Sequence, residues 1–204
     1  MASIGAIGCF FLLAGCGDAV PPAAQGGVSV FLEQYDDMDP VYGKRDCPPY
    51  RHWLNIPYDH DHTPGSQRQL TDKVSAIKAV NNQDGDSVSC SVKPSGSGFV
   101  VKGDATAYAE SAGTKYRPSI VHIRITQIAP GDTNSKGMLT VQDEQSLNPY
   151  TSDLCTFSVQ GDSLGVAAGR IWGSLRCEGL TDTSIPDSAC LVDMGFFLFE
   201  NCAQ

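Results

Sequence analysis

The sequence predicts an all-β domain: an antiparallel β-sandwich of about eight or nine strands, stapled by disulfides and preceded by a long irregular segment. Three observations carry this prediction. From Lys73 onward, β-branched and aromatic runs recur between turn signals. Within the clearest run, Val121, Ile123 and Ile125 alternate with His122, Arg124 and Thr126, the period of a strand with one buried and one wet face. Six cysteines (Cys47, Cys90, Cys155, Cys177, Cys190 and Cys202) form no C-x-x-C pair among themselves. An even number so spaced reads as a disulfide framework rather than a zinc ribbon or a thioredoxin-type redox site.

In chain order, the first strand is expected at Val28–Leu32, where the domain begins. Further strands are expected at 74–80, 87–92, 98–108, 119–128, 137–142, 154–160, 169–177 and 193–200. Val74, Ile77 and Val80 recur at a spacing of three, so the first of these reads equally as a short helix. Asp84-Gly85 is a hairpin turn before the strand at Ser87. The run Pro94-Ser95-Gly96-Ser97-Gly98 lacks the G-x-S-x-G spacing of a nucleophile elbow and joins two strands, so it too is a turn.

The segments 154–160 and 169–177 flank a Gly-rich connection and suit an antiparallel hairpin. One register sets Val159 opposite Gly173, Phe157 opposite Leu175 and Cys155 opposite Cys177, all on the buried face. A Cys155–Cys177 bridge follows geometrically from that register. Six cysteines allow fifteen connectivities, however, and Cys190, which flanks the last strand, is an alternative partner for Cys177.

The start of the chain has a different character. Met1–Gly15 carries no charge, and Ile4–Ala14 is an apolar run too short to span a bilayer, the length of a signal-peptide core. It ends in Leu13-Ala14-Gly15-Cys16, which resembles the bacterial lipobox, where lipid joins the cysteine and the chain is cut just before it. Residues 1–15 are therefore expected to be a lipoprotein signal peptide, Cys16 the lipidated residue, 16–27 a Pro- and Gly-rich tether and 28–204 the domain. A buried N-terminal helix or strand is the alternative. Because signal peptides open with Lys or Arg and this one has neither, translation is expected to start upstream of Met1. The residue after Cys16 is Gly17 rather than Asp, which by analogy with lipoprotein sorting favours the outer membrane.

The net charge of −9 argues against a nucleic-acid partner, which would require clustered Lys and Arg, and there is no phosphate-binding glycine motif. Chemistry-bearing residues concentrate between Phe31 and Gly65, in the stretch without clear periodicity. Tyr50, Trp53 and Tyr58, together with Trp172 on a later strand, offer flat rings for a glycan or protein ligand; packing of the same rings against the sheet is the plainer reading. His52, His60 and His62 could supply imidazoles to zinc or copper, although a run between two prolines is equally a solvated turn. Asp36, Asp37 and Asp39, and Asp84 with Asp86, lack the ligand spacing of a calcium loop. No nucleophile–base pair is evident, so a hydrolase would need carboxylates that meet only in the fold.

Assembled, these features resemble the small cysteine-containing β-rich surface lipoproteins of unknown function from myxobacteria. The resemblance rests on the lipobox and on Val88-Ser89-Cys90-Ser91-Val92 followed by Phe99-Val100-Val101. It continues through Gly169-Arg170-Ile171-Trp172-Gly173 before Cys177, and the ending Gly195-Phe196-Phe197 through Glu200-Asn201-Cys202. It implies a cell-envelope address and a β fold, and it carries over no active-site residue. The expectation from sequence is thus a lipid-anchored, non-catalytic binding or structural domain, with a metal-binding protein and an envelope-polymer hydrolase as alternatives.

Overall fold

The computed structural model describes residues 21–34, 52–56, 79–111, 114–142, 148–161, 164–182 and 189–204. Every regular element among them is a strand, and every strand pair is antiparallel, as the alternating pattern requires. The elements are β1 (Gln25–Gln34), β2 (His52–Ile56), β3 (Ala79–Val80), β4 (Ser87–Ser95), β5 (Gly98–Ser111), β6 (Thr114–Ile128), β7 (Ser135–Gln142), β8 (Tyr150–Ser158), β9 (Gly165–Ala167), β10 (Arg170–Asp182) and β11 (Ala189–Glu200).

All eleven belong to one sheet, ordered β2-β1-β11-β10-β8-β7-β6-β5-β4, with β3 beside β1 and β9 beside β10. The two layers expected of a sandwich are therefore opposite walls of a single sheet that curls into a nearly closed barrel. Period-two alternation marks one buried face in either arrangement, so the sequence pattern is the same for both. Register shifts in β10 around Cys177, in β7 after Gly137 and in β5 after Phe99 add local twist and help the sheet coil.

Closure occurs at a corner. β3 pairs with the start of β1, and the turn that follows leads directly into β4, the far end of the strand path. Asn82 and Asp84 there adopt φ of 66° and 54°, in the left-handed region that Asn and Asp tolerate, ahead of Gly85. The Asn81 N–H donates to Ala24 O at 2.9 Å, while its Oδ1 accepts from the Val88 N–H at 3.1 Å. The Asp84-Gly85 turn thus lies where the sequence places it, and it joins the two ends of the sheet.

The interior is filled by side chains. Phe157, Phe197 and Phe199 are fully buried, and Phe157 meets Phe197 edge-on with centroids 5.5 Å apart. Glycines make room for the rings: a Cβ at Gly103 of β5 would lie 2.3 Å from Phe199, and one at Gly26 of β1 would lie 2.6 Å from it. Phe199 therefore occupies the gap between two walls, and large and small residues complement each other as in small barrels. Val121, Ile123 and Ile125 are buried beside Leu139, Val141 and Leu175, as the alternation predicts.

Two of the three predicted pairs are formed, Phe157 opposite Leu175 and Cys155 opposite Cys177, while Val159 lies beyond the end of β8 at Ser158 and is not paired with Gly173. The Cys155–Cys177 disulfide is formed, which removes the alternative of Cys190 on Cys177. A second bridge joins Cys90 to Cys202, and Cys190 is also disulfide-bonded. Cys47 lies outside the described residues.

Sequence reading missed β2, because its five residues follow a stretch with no readable period. It also placed the first strand late: β1 begins at Gln25, three residues before Val28. Gly26, one of a pair that resembled linker composition, faces Phe199, which leaves no space for a side chain there.

Candidate functional surface

Most of the residues singled out from sequence, Cys16, Tyr50, Tyr58, His60 and His62, lie outside the described residues. His52 and Trp53 fall in β2, where the backbone register sets them opposite Leu32 and Phe31 of β1. Among the described residues no three His, Cys, Asp or Glu side chains come together as a metal-binding group. No described helix is long and apolar enough to cross a membrane.

Trp172 stands on the outward face of β10, as its alternation with buried Ile171 and Gly173 requires. It is half-buried, opposite Leu198 on one side and Gly165 on the other. Its indole N–H is buried and has no hydrogen-bond acceptor among the described residues. Arg176, on the same face, lies 3.9 Å from Asp193, an exposed pairing of little energetic weight.

The best-organised polar group on the outer wall is one that sequence reading only half saw. His122 and Arg124 point outward from β6, as predicted, and strand register brings Asp104 of β5 opposite His122. Asp104 Oδ1 sits 2.6 Å from His122 Nδ1 and 2.5 Å from an Arg124 nitrogen. Arg124 also donates to the carbonyls of Gly103 at 3.1 Å and Ile123 at 2.8 Å, so its guanidinium is held flat against the sheet. All three side chains are about one-third exposed. Asp104 could not have been paired with them from sequence, because the pairing depends on a register shift between Tyr108 and Glu110.

This trio lies in a longer row. Reading across the sheet, Ser89, Asp104, His122, Thr140, Thr151 and Thr181 follow one another on six adjacent strands. The hydroxyls of Thr140 and Thr151 are hydrogen-bonded at 3.0 Å, and Thr181 donates to the Thr151 carbonyl at 3.5 Å. With strands about 4.8 Å apart, the row presents one polar side chain per strand over roughly 24 Å.

An Asp–His contact through Nδ1 is the orienting half of a hydrolytic triad. The hydroxyl facing His122 across the strands, Thr140, is engaged with Thr151, and the row lies on the outer wall of the sheet. The arrangement suits hydrogen bonding to an extended polar ligand. No family model matches this chain, and neither a curated protein nor a solved structure matches it.

Proposed function

We propose that the chain is an envelope lipoprotein, tethered through lipid on Cys16, whose disulfide-closed β domain is a non-catalytic binding module for an extended, hydroxyl-rich envelope polymer such as a polysaccharide. The observation supporting this reading is the Ser89-to-Thr181 row: hydroxyl, carboxylate and imidazole groups side by side on adjacent strands, most of them held by hydrogen bonds within the sheet. The packed interior supports it too, since aromatic rings fill the space in which other barrels hold a ligand. Two disulfides and a fifth bonded cysteine, Cys190, suit an oxidising compartment.

Co-sedimentation with envelope polysaccharide tests the binding reading. Asp104→Ala combined with His122→Ala should weaken binding at least tenfold while changing stability by less than about 1 kcal/mol, as expected for part-exposed ion pairs. Unchanged binding, or turnover of the polymer, would defeat it. Mass spectrometry of the protein made in a bacterial host tests the anchor: a mature N-terminus at a lipid-modified Cys16 is expected, and an unmodified one refutes it.

A further inference from the structure

The outer wall over β4–β7 carries a charge balance opposite to that of the chain. Among the described side chains that point outward from these strands, Lys93, Lys102, Arg124 and Lys136 are cationic and only Asp104 is anionic. The chain as a whole has a formal net charge of −9. On β8–β11 the exposed charges are mostly acidic instead, Asp153, Glu178 and Asp193 against Arg170 and Arg176.

Strand register arranges the four cations as one per strand. Lys102 stands directly opposite Arg124. Lys93 is diagonal to Lys102, which faces Ser91, and Lys136 is diagonal to Arg124, which faces Met138. Neighbours in this strip are therefore about 5–8 Å apart at their Cβ atoms. The strip crosses the wall over roughly 14 Å, beside Asp104 and His122 of the polar row.

Like charges set opposite each other destabilise a strand pair, and the sheet relieves only part of this strip. Arg124 pairs with Asp104, so the one carboxylate on the wall is neutralised, and Lys136 Nζ donates to the Thr156 hydroxyl at 3.0 Å. Lys93 and Lys102 are exposed, and neither has an ion-pair partner among the described residues. This is so in a chain where 23 Asp and Glu face 14 Lys and Arg.

We propose, resting on the reading that the adjoining row binds a polysaccharide, that the strip selects an acidic one. The polymer's anionic groups, uronate carboxylates or sulfate esters, lie along Lys93, Lys102 and Lys136, while its hydroxyls hydrogen-bond to the row. Arg124 removes the repulsion that Asp104 would otherwise exert. An open wall with several separate cations suits a linear polyanion, whose repeated contacts add along its length. The exposed large hydrophobic side chains, Tyr108, Leu154 and Met194, all lie outside the strip. The strip thus offers neither an apolar anchor for a bilayer nor a ring for base stacking.

The test measures binding of the full-length protein to dextran, dextran sulfate and polygalacturonate at low and at physiological salt. At least one acidic polymer should bind about tenfold or more tightly than dextran at low salt, with the preference shrinking as salt rises. Whether dextran sulfate or polygalacturonate binds better distinguishes sulfate from carboxylate. Lys102→Gln should weaken acidic-polymer binding roughly fivefold or more and flatten its salt dependence, while leaving melting unchanged. Arg170→Gln makes the same change in net charge on β10 and should leave binding as in the wild type. Equal losses in the two variants, or dextran bound as tightly as both acidic polymers, overturn the strip and leave the row standing. Absence of binding to all three polymers overturns the polysaccharide reading and the strip with it. Single-stranded DNA or phosphatidylglycerol vesicles bound as tightly as the acidic polymers overturn the choice of a polysaccharide.

Discussion

Replacing Gly103 by Ala probes how the two walls of the sheet meet. The new methyl would lie 2.3 Å from Cε2 of Phe199, 2.5 Å from Cζ and 2.7 Å from Cδ2. Restoring an ordinary carbon–carbon contact requires the ring to move by about 1.2 Å. It has nowhere to go, because Phe199 is fully buried and its other edge faces Gly26, where a Cβ would lie 2.6 Å away. Overpacking of this kind costs about 1–3 kcal/mol, and a ring pinned on both sides belongs at the upper end. The lower backbone entropy of Ala in a strand offsets roughly 0.5–1 kcal/mol of that. The net loss of about 2–2.5 kcal/mol should lower Tm by about 4–10 °C for a chain of this size. Phe199→Leu alone should cost less than the ~3–5 kcal/mol of truncation to Ala. Because the smaller side chain leaves space for the methyl, the double variant should be more stable than additivity predicts by about 1 kcal/mol. Urea denaturation of the four proteins closes the cycle. Gly165→Ala, where no atom lies within 4 Å of the added methyl, is the control and should be neutral or slightly stabilising. Wild-type stability in Gly103→Ala, or strict additivity in the cycle, would refute the reading that Phe199 is wedged between facing walls.

Further predictions concern the bridges, a loop and the buried indole. The bridges span sequence separations of 112 and 22, so loop-closure entropy assigns about 4.8 kcal/mol to Cys90–Cys202 and about 3.4 kcal/mol to Cys155–Cys177. Denaturant titration of the two double-Ala variants should show the larger loss for the longer loop, and a reversed order would place the effect in native packing. Asp132 ties the β6–β7 turn by accepting from the Ala129 N–H at 2.7 Å and the Ser135 hydroxyl at 3.0 Å. Asp132→Ala should cost about 1–3 kcal/mol, read by thermal melting, and no change would show that solvent replaces both bonds. Trp172→Phe removes a buried N–H that lacks an acceptor, so it should cost less than about 1 kcal/mol; a loss above 2 kcal/mol would show that the indole shape, not its polarity, is what matters there.

The pairing of Phe157 with Leu175 and Cys155 with Cys177 was legible because a short Gly-rich connection and a shared buried face leave few registers for a hairpin. The same logic found the outward His122 and Arg124 and the turns at Asp84-Gly85 and Gly96. It could not find Asp104 as their partner, since a register shift between β5 and β6 decides which residues stand opposite. Nor could it find β2, whose residues carry no alternation long enough to read.

By itself, then, the sequence determined that the domain is all-β, which residues of the strand 119–128 and of the 154–160 and 169–177 pair face the core, and that a disulfide between the last two is geometrically allowed. These follow from side-chain period and turn chemistry, both local. Tertiary structure alone decided that the strands form one curled sheet whose ends meet at the Asn81–Asp86 corner. It also decided that Gly26 and Gly103 enclose Phe199, that Cys90 meets Cys202 across 112 residues, and that six polar side chains fall into one row. Each of these depends on the order and stagger of strands distant in the chain, and alternation has the same period in every arrangement that buries the same face.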